Sequence, residues 1–164
     1  MTIEDATPRK ISLRSLPSGS SVVFTESTFF THNGPNSSLP SPAEVRANKP
    51  SGPLGVSIIV RFDALNLLVK YGKEETIAEG QCLWALHRLL SQQVPVPEVY
   101  GWCQEGPDIF IYMELIKGAT LEHRWDTLVE EERVSVCQQL QAMIAALRTL
   151  EQDPEDQFLG TWSS

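Results

Sequence analysis

Lys70 and Glu79 are the residues whose types and spacing first suggest chemistry. Glu79 precedes Leu83 by four positions, on the same helical stripe as Leu86 and Leu90, so its carboxylate is drawn toward the core. A carboxylate buried there without a partner is expensive, so it needs a cation or a donor. Lys70, closing the preceding strand pattern, is the nearest cation in chain order. A strand-end lysine alone is commonly a solvated edge residue, so the pair carries the reading. Other reactive types are less organised. His32, His87 and His123 show no ligand spacing, and Cys82, Cys103 and Cys137 fit neither a zinc pattern nor a disulfide framework. Cys82 and Cys137 fall in helical patterns and read as buried apolar residues. Asp153 and Asp156 flank Pro154 and Glu155 in an acidic turn that stops a helix.

The elements that must position the pair follow from periodicity and breakers. Val56–Phe62 is β-branched and apolar enough for a strand, Asp63-Ala64-Leu65-Asn66 supplies a turn, and Leu67–Tyr71 is its antiparallel partner, ended by Gly72. A helix follows over roughly Glu74–Leu90. Pro95 and Pro97 force an extended connector. Val99–Cys103 and Ile109–Glu114 are strands joined by the Gly106-Pro107-Asp108 turn. A short helix is expected over Leu121–Leu128 and a longer one over Glu130–Leu150, with Val134, Cys137, Leu140, Ile144, Leu147 and Leu150 on one face. Before Val56 the chain is broken by prolines and glycines. It allows a short strand over Ser21–Phe24 and a brief helix that Ser41, Pro42 and Glu44 start as a capping box and that ends near Ala47. Trp84 and Trp102 read as packing residues. Antiparallel hairpins alternating with helices argue for an α+β lobe over a doubly wound parallel sheet.

Composition bounds the function classes. The 164 residues suffice for one compact domain, with 41% hydrophobic and 21% charged residues. A formal net charge of -8 without a basic stripe argues against nonspecific nucleic-acid binding. The amino terminus lacks the basic-then-apolar pattern of a signal peptide, and no apolar run is long enough for a membrane span. A reducing, cytoplasmic setting is the expectation.

Four segments in this order resemble the fungal branch of the aminoglycoside phosphotransferase-like family, which has a protein-kinase-like fold. They are Leu68-Val69-Lys70-Tyr71-Gly72, Ala78-Glu79-Gly80-Gln81, Val94-Pro95-Val96-Pro97-Glu98-Val99-Tyr100-Gly101 and Tyr112-Met113-Glu114-Leu115-Ile116-Lys117-Gly118-Ala119-Thr120-Leu121. The likeness spans about Val56 to Leu150. It implies an irregular extension over 1–55, a kinase-like nucleotide-binding lobe over 56–117 and a linker with a partial helical lobe over 118–164. The small lobe would hold ATP, with magnesium entering only with bound nucleotide. Lys70 would contact the α- and β-phosphates, and Glu79 would fix its direction. Leu68 would cover the adenine, Met113 would stand behind it, and backbone groups of Glu114 and Ile116 would bond its edge. Gly118 would let the chain turn into the second lobe.

Two departures shape the functional expectation. No Gly-x-Gly-x-x-Gly run precedes the Val56 strand, and Pro53 within Gly52-Pro53-Leu54-Gly55 removes a donor that a phosphate loop would use. The family's His-Gly-Asp-like catalytic loop, with its asparagine and metal-binding aspartate, has no counterpart before Ser164. The expectation is therefore a truncated relative of ATP-dependent small-molecule phosphotransferases without independent activity, its acceptor unknown. The alternative is a noncatalytic nucleotide-binding or protein-interaction module. Without later helices to cover it, part of the long helix's apolar stripe should be exposed, which favours self-association or a protein partner.

Overall fold

The computed structural model describes residues 9–51 and 57–156. Among them the chain divides into two compact units. The first comprises Pro17–His87 and Val96–Ile116, and is built on a five-stranded antiparallel sheet. Its strands are β2 (Ser21–Val23), β3 (Ile58–Phe62), β4 (Leu67–Gly72), β5 (Val99–Glu105) and β6 (Asp108–Glu114), in the spatial order β2-β5-β6-β4-β3. The β3–β4 hairpin closes through a 3-10 turn at Asp63–Leu65 and Asn66, whose φ of 51° is the left-handed value that asparagine tolerates. The β5–β6 hairpin turns tightly at Gly106, at φ 60°, followed by Pro107.

Alternation along β4 and β6 separates two apolar layers. Leu67, Val69, Tyr71, Phe110 and Tyr112 face one side, where they pack with Tyr100, Phe29 and Val45. Phe29 and Val45 come from α1 (Thr28–Asn33) and α2 (Pro42–Ala47), so part of the irregular amino-terminal region supplies core. The expected Ser41–Glu44 capping box starts α2. Ser27 caps α1 without a side-chain bond, and the Glu98 carboxylate instead accepts the Thr28 N–H at 3.2 Å. Arg46 on α2 ties to the β5–β6 hairpin through Glu105 and, at 3.0 Å, Asp108, and lies 4.9 Å over the Phe110 ring.

Ile111, Met113, Val99 and Trp102 face the other side with Phe24, and partly buried Leu68, Ile77, Leu83 and Trp84 pack against them. The last three belong to α3 (Ile77–Leu90), the helix expected from Leu83, Leu86 and Leu90. Trp102 is buried and donates its indole N–H to the Gly19 carbonyl at 3.0 Å, while Trp84 stacks on Phe24 with ring centroids 6.2 Å apart.

The second unit comprises the amino-terminal stretch to Leu16, Arg88–Pro95 and the chain from Lys117. Within it β1 (Arg9–Ile11) pairs in parallel with β7 (Leu150–Gln152), and the Arg9 guanidinium donates to the Leu89 carbonyl. Neither β1 nor β7 was legible from periodicity, being three residues each. The expected Leu121–Leu128 helix is α4 (Leu121–Trp125) followed by a turn, and the longer helix is α5 (Glu130–Leu147), whose final expected turn becomes β7. The apolar stripe of α5 is its exposed side: Val134, Leu140, Ile144 and Leu147 are 38–48% accessible. Ala146 is its buried residue, with Val136 and Met143 half-buried. The expected burial of Cys82 and Cys137 is thereby corrected. Both are exposed, and Cys137 belongs to the exposed stripe of α5. No helix among the described residues is long and apolar enough to cross a membrane.

Candidate functional site

Lys70 sits on β4 opposite Ile111, and Leu68 opposite Met113, so all four share the sheet face that α3 covers. Side chains at alternate strand positions point the same way, which aims the Lys70 stem at the helix. Glu79 lies in the first turn of α3. Next to it, Gly80 lets the helix approach the sheet: a Cβ there would meet the buried Trp102 ring at 2.9 Å. The result is a bidentate ion pair, with Lys70 Nζ 2.8 Å from Glu79 Oε1 and 3.0 Å from Oε2. The two residues singled out by spacing are thus brought together.

A residue that sequence reasoning missed completes the group. Glu75, between β4 and α3, is 2% exposed and places Oε2 2.8 Å from Lys70 Nζ. Its other oxygen accepts the hydroxyl of Ser57, at the entry to β3. The signal for it was faint: Glu74-Glu75 reads as an acidic helix start, and only the fold shows which of the two turns inward.

The electrostatics follow from this crowding. Burial pushes the Glu75 carboxyl up, but Lys70 and Ser57 outweigh it and leave it below the ordinary value. For Glu79, burial and the neighbouring Glu75 prevail over Lys70 and leave it raised. Burial works against the Lys70 charge, yet the bonds to Glu75 and Glu79 hold its pKa above the usual lysine range. The cluster is therefore a committed ammonium between two carboxylates, one held firmly ionised and the other more readily protonated.

The remaining nucleotide candidates stand as follows. Leu68 is half-buried and Met113 is 8% exposed, both packed at the α3 side of the sheet. Glu114 ends β6, its N–H given to the Glu98 carbonyl at 2.9 Å, and the following Leu115 N–H bonds Asn66 O at 3.1 Å. Ile116 is 62% exposed just beyond the strand. The segment Gly52-Pro53-Leu54-Gly55 and Val56 lie outside the described residues. Asp156 acts locally, accepting the Ser12 hydroxyl at 2.5 Å and the Arg14 N–H at 3.0 Å and so anchoring the turn after β1. Asp153 donates its N–H to Ile11 O at 2.9 Å. Among the described residues, no group of three or more His, Cys, Asp or Glu side chains could hold a metal ion. A groove of about 350 Å³ lies between β2, β5 and the start of α2, lined by Val22, Leu39, Cys103 and Tyr112 among others, and none of the nucleotide candidates lines it.

Fold and site together define a mixed α+β protein with a five-stranded antiparallel sheet and a partly buried sheet-to-helix ion cluster. Comparison of the chain with protein-family models, curated proteins and solved structures returns no match.

Proposed function

We propose that this chain is a nucleotide-binding lobe of the kinase-like, aminoglycoside phosphotransferase-like type, which engages the phosphates of ATP through Lys70. The observation that carries the reading is the Lys70–Glu79 pair bridging β4 and α3 on the sheet face that also holds Leu68 and Met113. An ammonium fixed in direction by a helix carboxylate supplies a positioned charge for a phosphate, and half-buried Leu68 beside it supplies apolar surface for a base. The strand-strand-helix-strand-strand order around Lys70 supports the same reading. Magnesium would arrive with the nucleotide, since both nearby carboxylates are spent on Lys70.

The proposal covers binding. Transfer to a hydroxyl of a small molecule needs an aspartate to orient the acceptor and a magnesium cage around the γ-phosphate, and no segment of these 164 residues matches that set. Calorimetric titration with magnesium-ATP tests the reading: the native chain should give saturable heat, and a folded Lys70→Ala chain should bind roughly tenfold or more weakly, the loss of one charge-assisted contact. Equal binding, or no heat from the native chain at millimolar ATP, overturns it.

The exposed side of α5 favours a second reading, an interaction module whose partner is another copy of the chain. Read in reverse, the stripe maps onto itself: Val134 falls opposite Leu147 and Cys137 opposite Ile144. The midpoint lies between Leu140 and Gln141, so the Leu140 side chains of the two copies would adjoin there. Antiparallel pairing would also bring the acidic first turn Glu130-Glu131-Glu132 beside Arg148 of the other copy, with the helix dipoles opposed.

A further inference from the structure

In the folded chain the Lys70 ammonium is ringed by carboxylate oxygens. Its contacts are Glu79 Oε1 and Oε2 and Glu75 Oε2, at 2.8, 3.0 and 2.8 Å, as many acceptors as an ammonium has protons. An entering phosphate must therefore take over one of these carboxylate contacts. The two acids are not equivalent in this exchange. Glu79 is 36% exposed and, holding Lys70 through both oxygens, can release one while keeping the other, whereas Glu75 is 2% exposed and has the Ser57 hydroxyl on its other oxygen. Glu75 stays. Its charge then faces whatever anion reaches Lys70, and the cluster of one cation and two acids carries an excess of negative charge.

We propose that Glu75 is a built-in acidic competitor that sets the charge selectivity of the Lys70 site, disfavouring free polyphosphate relative to polyphosphate already neutralised by a divalent cation. This rests on the nucleotide reading above and deepens it. Coulomb repulsion scales with ligand charge, so Glu75 should oppose free ATP, with about four negative charges, about twice as strongly on a logarithmic scale as magnesium-ATP, with about two. Glu75→Gln keeps the shape and an acceptor for Lys70 while removing the charge.

The test is a matrix of titrations with ATP in chelator and with ATP in excess magnesium, on native, Glu75→Gln and Lys70→Ala chains whose folding is checked by circular dichroism. Glu75→Gln should tighten free ATP roughly tenfold and magnesium-ATP roughly threefold, narrowing the preference between them. If Glu75→Gln does not fold, Ser57→Ala supplies the test, since it frees the carboxylate to withdraw: free ATP should tighten about twofold. Binding that depends on Lys70 but is unchanged or weakened by Glu75→Gln, or by Ser57→Ala in its place, overturns the role of Glu75 alone. Absence of binding in the folded native chain overturns the nucleotide reading itself, and this inference with it.

Discussion

Replacing Lys70 by methionine separates charge from volume in the buried cluster. Methionine keeps an unbranched apolar stem on β4 but leaves Glu75, 2% exposed, without its cation. Removing one partner of a buried pair costs about 3–5 kcal/mol, because the remaining charge is stranded. Glu79 can turn to water and Glu75 keeps its bond to Ser57, so the low end, about 3 kcal/mol at neutral pH, applies here. The pH dependence gives a sharper signature than the magnitude. In the native chain the Glu75 pKa is depressed, so its stabilising contribution is present above the unfolded value and lost as pH falls through the folded value. Without Lys70 the burial contribution dominates and the folded pKa rises above the unfolded one. The penalty is then absent below the unfolded pKa and grows as pH rises toward the new folded value, so the slope reverses sign. Urea unfolding followed by fluorescence of Trp84 and Trp102, repeated from pH 4 to pH 8, reads both effects. Lys70→Met combined with Glu75→Gln should recover most of the lost stability, since no buried charge remains. Native-like stability in Lys70→Met, or a double variant no better than the single one, would refute a buried charged cluster. The double variant, if folded, is also the cleaner binding control for the site.

Three further predictions test the frame around the site. Gly101→Ala should cost about 3 kcal/mol or prevent folding, because its Cβ would enter the Val22 carbonyl of the paired strand, whereas Gly106→Ala meets open space and should cost only about 1 kcal/mol for its φ of 60°; thermal melts decide. Burial raises the Tyr112 phenol well above the ordinary value, so its contribution to stability should be flat below the unfolded pKa of about 10 and fall as pH rises past it. Tyr112→Phe should reduce the alkaline slope by about 1.4 kcal/mol per pH unit, leaving the part due to Tyr100, Lys70, Cys82 and Cys103, which are also raised; an unchanged slope contradicts the assignment. Leu140→Glu, at the centre of the reversed α5 stripe, should turn a concentration-dependent dimer in sedimentation velocity into a monomer with native helicity, and a native chain that is monomeric at high concentration removes the self-pairing reading.

What could be read from sequence depended on whether local pattern or distant geometry decides. The β3–β4 and β5–β6 hairpins, the core stripe of α3 and the Ser41–Glu44 box are local: alternation, turn residues and caps specify them within a few positions. The Lys70–Glu79 pair was legible because an acid on an apolar stripe demands a cation and the chain offers one nearby. β1 and β7 were not legible, since their pairing joins residues about 140 positions apart and three residues carry no periodic signal. Nor was the second acid. Glu75 precedes the helix, outside any stripe, and its partners come from earlier in the chain, Ser57 at the entry to β3 and Lys70 on β4.

The α5 stripe shows the complementary limit. Periodicity identified a face rich in Val134, Cys137, Leu140, Ile144 and Leu147, and these residues do share a side. A helical pattern specifies that a face is apolar, but what covers it depends on elements elsewhere in the chain or on another molecule. Here the side turned inward is built on Ala146, with Val136 and Met143 beside it, while the richer stripe stays accessible. The Lys70 cluster obeys the same logic with charge in place of hydrophobicity. Its demand for a partner was readable from Glu79 alone, yet Glu75 meets it as well, and a cation satisfied by two acids leaves a net negative cluster where a single acid would leave a neutral pair. On the proposed nucleotide reading, the acid that keeps its place beside Lys70 when an anion enters is therefore the group that sets how strongly ligand charge weighs against binding.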